Sequence, residues 1–250
     1  MNIILNEVEF AKSAIANCSL GDHPTETLGR VAKYYKSEGY GRADVGRLLE
    51  EFMMKCDSNV NIVKWQDMID KQVKYAFKYP IINIKYIPIT QKELDLCDGL
   101  SGKQMRRLMF TLICLAKYAN EVNDSNNNWV NRQDREIFKM ANVVTSVKRQ
   151  SLMLNDLREL GLIRFSRKVD NVNINVECID IEGEAVLLVD DFRNLGYQYM
   201  RYCGESFFSC SCCGLVVKRT NNSQLYCHDC GIEVNRQMTR DKWRRNNVSS

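Results

Sequence analysis

Residues 145–166 read TSVKRQSLMLNDLRELGLIRFS, and the fold turns on how this stretch divides. Thr145 can cap a helix N-terminus, and Val147, Leu154, Leu157 and Leu160 then recur at helical spacing. The helix predicted here runs through Glu159. Gly161 suits the left-handed position that ends many helices. Leu162-Ile-Arg-Phe begins an alternating pattern that resumes after residues 167–171, so a β-hairpin is predicted with Arg167 and Lys168 at its basic tip. Upstream, Ser101 is a plausible cap for a helix over 101–122, whose apolar stripe is Met105, Leu108, Met109, Leu112, Leu115 and Ala116. Residues 123–128 (NDSNNN) are turn-rich, and Trp129-Val130 can make a short strand. Residues 132–142 read as a second helix with Ile137, Phe138 and Ala141 inward.

The order helix, short strand, helix, helix, hairpin resembles a winged helix-turn-helix over roughly residues 101–180. The phrase LNDLRELGLIRFS resembles the junction between that fold's recognition helix and its wing. The resemblance implies that the first turns of the third helix enter the DNA major groove. Ser146, Lys148, Arg149 and Gln150 are then nearest the bases, where Arg or Lys reads guanine and Gln reads adenine. Arg167 and Lys168 would reach phosphate from the wing. Many winged helices dock proteins instead, and Asp156 and Glu159 dilute the charge of this helix, so that alternative stays beside the first.

The chain has eleven cysteines. Six are dispersed (Cys18, Cys56, Cys97, Cys114, Cys178 and Cys203) and read as reduced core or half-buried thiols. Five fall within 21 residues: Cys210, Cys212, Cys213, Cys227 and Cys230. Cys210-Ser-Cys-Cys213-Gly and Cys227-His-Asp-Cys230-Gly are two CxxCG units thirteen residues apart. A CxxC turn sets two thiolates on one side of a tight knuckle, and the following glycine frees the backbone to turn. Two facing knuckles supply four sulfurs in a tetrahedron, the geometry of structural Zn²⁺. Residues 215–226 between them read as strand, turn, strand, and the whole resembles a zinc ribbon. Cys212 is the spare thiol, and His228 is a distant second choice of ligand. Four cysteines leave no open coordination position, so one structural zinc is expected, lowering the formal charge from +4 to +2. An odd cysteine count and no visible secretory signal speak against a disulfide framework.

The net charge of +4 is unevenly divided. Residues 1–98 carry 13 basic and 14 acidic side chains, 99–170 carry 13 and 7, 171–205 carry 2 and 7, and 206–250 carry 7 and 3. Two basic blocks flanking an acidic one suggest a surface for a polyanion. Arg236, Arg240, Lys242, Arg244 and Arg245, with Trp243 among them, form a cationic helix or arm suited to phosphates and base stacking. A frayed solubilising tail is the bland alternative. Two histidines and no Gly-rich phosphate loop count against an enzyme, and His23-Pro-Thr lacks the His-x-Glu element of a deaminase. No apolar run reaches the ~18 residues of a membrane span, so a cytoplasmic protein without a membrane partner is expected.

Towards the N-terminus, helices are predicted over 27–38, 42–55 and 63–79, broken by Gly39-Tyr-Gly41 and stopped by Pro80. LGRVAKYYKSEGYGRADVGRLLEEF followed by KWQDMIDKQVKYA resembles, loosely, the C-terminal helical module of phage and plasmid primases. A primase's acidic metal site would stand in a preceding domain, so the resemblance implies an accessory module without that active site. A β-prone run at 81–87 ends at Pro88, Thr90 caps a short helix, Leu187-Leu-Val189 can be a strand, and residues 192–202 an aromatic helix.

The expectation is a mainly α fold with small β parts: a helical module (1–88), a winged helix-turn-helix (89–182), an acidic and aromatic connector (183–206), a zinc ribbon (207–235) and a basic tail (236–250). The chain as a whole resembles accessory proteins of phages and integrative elements of Firmicutes. That resemblance implies a non-enzymatic protein of replication or transcription whose partner is nucleic acid, DNA first. The alternative is an inhibitor or adaptor docking on a host or phage protein, such as a CRISPR effector nuclease. Oligomeric state is not legible.

Overall fold

The computed structural model describes residues 3–166 and 173–248, with backbone alone over 246–248. The described residues are mainly helical, with three small antiparallel sheets. Two compact units divide the chain: Ile4–Lys85, and Tyr86–Ser250 together with Met1–Ile3.

The first unit is a four-helix bundle: α1 (Glu7–Ala16), α2 (Pro24–Ser37), α3 (Arg42–Cys56) and α4 (Ile62–Lys78). Its core is Ala11 and Ala14 of α1, Leu28, Val31 and Ala32 of α2, Val45, Leu49, Phe52 and Met53 of α3, and Ile69, Val73 and Ala76 of α4. Proline at the first turn of α2 costs nothing because that N–H has no intrahelical partner. The reading from sequence found three helices and missed α1. Asn6 caps it by accepting from the Glu9 N–H (2.9 Å). Glu7 is buried: it accepts from Lys33 Nζ at 3.0 Å and from the Ile82 N–H at 3.0 Å. Residues around Asn83 return to pair with Asn6, and the Ile84 N–H donates to Leu5 O.

The second unit opens with β1 (Ile87–Thr90), then α5 (Gln91–Asp98), α6 (Lys103–Val122), β2 (Trp129–Val130), α7 (Asp134–Met140), α8 (Val147–Glu159), β3 (Ile163–Phe165), β4 (Ile174–Val176), β5 (Ala185–Val189), α9 (Leu195–Tyr202), β6 (Phe207–Ser209), β7 (Val216–Lys218) and α10 (His228–Val248). Helix α6 is the spine, with Leu108 through Ala116 buried without a break. It is buried nearly all round because several elements surround it: α5, α7 and α9, and strands β1, β2 and β4. Strand β4 lies between β2 and β3, with Val130 opposite Ile174 and Ile163 opposite Val176. Strands β1 and β5 pair separately, with Pro88 opposite Leu188. Proline is tolerated there because each strand of a two-stranded ribbon has a free edge.

A buried ion pair ties these parts together. Glu93 of α5 accepts from Lys117 Nζ (2.7 Å), from the Thr90 N–H (2.9 Å) and from the Asp180 N–H (3.1 Å). Lys117 also donates to Pro88 O at 2.8 Å. Thr90 caps α5 as expected and, with Glu93, completes a capping box. At the other end of α6, Tyr199 of α9 stacks on Phe110 at 5.2 Å between centroids and donates to Asp98. Gly196 lies so close to the end of α7 that a Cβ there would sit 1.9 Å from the Ala141 carbonyl oxygen.

Several local expectations are corrected. Ser101 is not the cap of α6; Gly102, at φ +81, precedes Lys103 in that role. Ser146 rather than Thr145 caps α8, accepting from the Arg149 N–H at 3.3 Å. Val147 and Leu160 leave the predicted buried stripe and are exposed; Met153, Leu154 and Leu157 hold α8 to the core. The second helix begins at Asp134, two residues later than read, and β1 begins at Ile87 rather than ending there. Cys97 and Cys114 are buried and Cys56 and Cys178 half-buried, but Cys18 and Cys203 are exposed.

Candidate metal centre and basic surfaces

The strongest constellation is Cys210, Cys213, Cys227 and Cys230, whose sulfurs all lie within 4.8 Å of one another. The hairpin of β6 and β7 presents the first knuckle at its turn. The Cys210 N–H donates to Leu215 O and the Gly214 N–H to Cys210 O, both at 2.9 Å, and Gly214 takes φ +74. This corrects the strand-turn-strand reading of 215–226: β7 covers only Val216–Lys218, and its partner β6 precedes the knuckle. The second knuckle is the first turn of α10, where the Gly231 N–H donates to Cys227 O at 2.9 Å. Gly231 is therefore helical and its turn needs no left-handed backbone. The knuckles are joined by the Ser211 N–H donating to Leu225 O (2.9 Å).

The donor set fits a tetrahedral ion. A Zn–S bond of about 2.3 Å in a regular tetrahedron separates sulfurs by about 3.8 Å, and Cys213 Sγ and Cys227 Sγ are 3.8 Å apart. Burial raises the Cys210 thiol, but the N–H groups of Cys213, Cys227 and Cys212 outweigh it and bring it down to about 6. Burial raises the Cys213 thiol, and its sulfur neighbours, Cys227 first, push the Cys230 thiol up. All four must be thiolates to hold a divalent cation, so metal binding would release protons. Cys212 is exposed and outside the cluster, as expected of the spare thiol.

The connector holds this module in place. Arg193 pairs with Asp191 at 2.6 Å and donates to Cys213 O at 2.8 Å. Asn194, in left-handed backbone at φ +54, donates to Val216 O at 3.0 Å and accepts from Asn142 Nδ2 at 2.9 Å. Tyr197 packs on Phe207, and Arg219 lies 5.0 Å from the centre of the Phe208 ring. Of the three tyrosines of α9, Tyr199 is buried and Tyr197 half-buried, while Tyr202 is exposed.

The basic residues divide into separate sets. On α8, Ser146, Lys148 and Arg149 are exposed, and Gln150 is half-buried, donating to Thr145 O at 3.5 Å. Ser146 uses its hydroxyl for the cap. Val144 and Val147, 93% and 77% exposed, precede the two cations, which composition alone does not signal. Arg167 and Lys168 lie outside the described residues. The tail is part of one continuous helix, α10, that starts inside the second knuckle, so a boundary at residue 235 has no counterpart in the backbone. Thr239, Arg240, Trp243 and Arg244 line one shallow depression on it. Arg236 sits 3.7 Å from Glu233, Lys242 is exposed, and Arg245 donates to Asp241 O at 3.3 Å. Among the described helices none is long and apolar enough to cross a membrane. No protein-family model, curated protein or solved structure matches the chain.

Proposed function

We propose that this is a non-enzymatic DNA-binding protein in which α6 to β4 form a winged helix-turn-helix and the four cysteines hold one structural Zn²⁺ in a ribbon. The observation that carries the reading is the placement of α8. It follows α7 and enters the hairpin of a β2-β4-β3 sheet, and its first turns project Lys148 and Arg149 into solvent while Met153, Leu154 and Leu157 anchor the rest. A helix held at its C-terminal half and bare at its N-terminal half is shaped to enter a major groove. Lys148 and Arg149 would contact guanine or phosphate, and the exposed Val147 offers an apolar contact to a thymine methyl.

Zn²⁺ would join the two knuckles and fix the start of α10, giving a rigid base to a helix whose other end has no packed core. Four thiolates close the shell, so the ion's contribution is to folding. Arg236, Arg240, Lys242 and Arg244 on that helix supply phosphate affinity without sequence preference. The resemblance to accessory proteins of phages and mobile elements supports a cytoplasmic role in replication or transcription.

One observation favours a second reading, a protein-docking inhibitor or adaptor. Val144 and Val147 are apolar and open, and Ile181, Val186 and Leu188 are exposed among the carboxylates of the acidic segment. The test is duplex binding by Lys148→Ala with Arg149→Ala against wild type. A loss of about tenfold or more at moderate salt supports the DNA reading, each good base contact being worth ~1–3 kcal/mol. Equal affinity of variant and wild type would exclude α8 as the contact and favour the docking reading.

A further inference from the structure

The bundle Ile4–Lys85 is almost neutral as a whole, with 12 basic and 11 acidic side chains, and nothing so far uses it. Its charge is segregated along the chain. From Lys71 to Lys85 there are four lysines and no carboxylate. Lys71, Lys74 and Lys78 are all exposed on the C-terminal half of α4. A lysine in the last turn complements the helix dipole, so Lys78 alone would signal nothing. Lys71 and Lys74 lie further in and are not called for by that effect.

Among these lysines stand two tyrosines that the core does not need. Tyr75 and Tyr79 are four residues apart, so their side chains are neighbours, while Ile69, Val73 and Ala76 fill the core. Their rings are 4.6 Å apart between centroids and tilted by 42°, and they are 45% and 40% exposed. Lys33 Nζ lies 5.4 Å from the Tyr75 ring, close enough to hold it by cation–π attraction, and Lys78 Nζ lies 5.1 Å from the Tyr79 ring at the exposed end of the helix. Lys33 is itself fixed by its buried pairing with Glu7. The orientation of the Tyr75 ring is therefore set before anything binds, which lowers the cost of ordering it.

We propose that this face of α4 is a second nucleic-acid contact, specific for single strands, in which Tyr75 and Tyr79 stack on bases and Lys71, Lys74 and Lys78 hold the neighbouring phosphates. A paired aromatic platform bordered by cations matches a strand whose bases are free to stack. A duplex hides the faces of its bases and would find only the lysines. The site is on the other compact unit from α8, and it stands whether or not α8 enters a groove.

The experiment uses the full chain, metal-loaded, with fluorescent oligothymidine and a duplex of equal length. Stacking is worth about 5- to 150-fold per base. Tyr75→Ala with Tyr79→Ala is expected to weaken oligothymidine binding at least tenfold and to leave duplex affinity within twofold. Tyr75→Phe with Tyr79→Phe keeps the rings and is expected to stay within threefold of wild type for both. Lys148→Ala with Arg149→Ala should do the reverse, weakening duplex binding alone, so the two proposals fail separately. Ultraviolet crosslinking of wild-type protein to oligothymidine should place an adduct on Tyr75 or Tyr79. The proposal is overturned if the alanine pair, with its helix content intact by circular dichroism, binds oligothymidine within twofold of wild type. Adducts only elsewhere, or no oligothymidine binding by the wild type, would also overturn it and leave a protein as the occupant of this face.

Discussion

Replacing Glu93 by glutamine tests whether the second unit is held together as described. The wild-type carboxylate satisfies three donors at once: the Lys117 ammonium and the N–H groups of Thr90 and Asp180. Its side chain is fully buried, and that of Lys117 is 10% exposed. A glutamine has one acceptor oxygen and an NH₂, so at least one of the three donors meets another donor. Lys117 keeps Pro88 O but loses its countercharge. Breaking a buried pair from one side costs about 3–5 kcal/mol, mostly for the charge left behind. We expect about 3 kcal/mol, which for a unit of this size is a fall of roughly 6–12 °C in Tm. Urea unfolding followed by Trp129, with Trp65 and Trp243 replaced by phenylalanine, reads this unit alone. Lys117→Met completes the cycle, and Glu93→Gln should cost at least ~2 kcal/mol less in that background. A cost below ~1 kcal/mol for the single variant, or no coupling, would refute the account of this pair.

Gly196→Ala should destabilise the same unit by more than ~3 kcal/mol, beyond ordinary overpacking, because the added Cβ meets the Ala141 carbonyl rather than a movable side chain; thermal unfolding checks it. Elemental analysis of the purified protein should find one metal per chain, lost in Cys230→Ser and kept in Cys212→Ser, since Cys212 lies outside the cluster. Removing Arg240, Trp243 and Arg244 together by alanine should weaken binding to any duplex about equally and flatten its salt dependence by about two contacts, read by titration at several salt concentrations.

What the sequence made legible, and what it did not, follows from the range of the forces involved. The knuckle cysteines were identifiable because ligand spacing is local. The partner of β7 was not, because an alternating stretch says nothing about which strand it pairs with, and β6 lies before the knuckle. Helix α1 was invisible to apolar periodicity because its buried positions are Glu7, Ala11 and Ala14, two small residues and a charge whose partner is 26 residues away. Val147 and Leu160 fit the helical period but lie at the two ends of α8. Periodicity tells which side of a helix is apolar, not how far the neighbouring element reaches along it. The Tyr75–Tyr79 platform was hidden in the opposite way. On sequence both residues sit in an amphipathic helix whose apolar stripe absorbs any nearby aromatic, and only the packing shows that they face out.

The most direct test of the account is the salt dependence of duplex binding by the wild-type, metal-loaded protein. Lys148 and Arg149 with the arginines and lysine of α10 give roughly four to six phosphate contacts, hence a slope of log K against log salt near −4 to −5. Affinity should then fall by about two to three powers of ten between 50 and 200 mM salt. A slope flatter than about −1, or no duplex binding at low salt, would contradict the account and turn attention to the apolar surface around Val144 and Val147 as a protein interface.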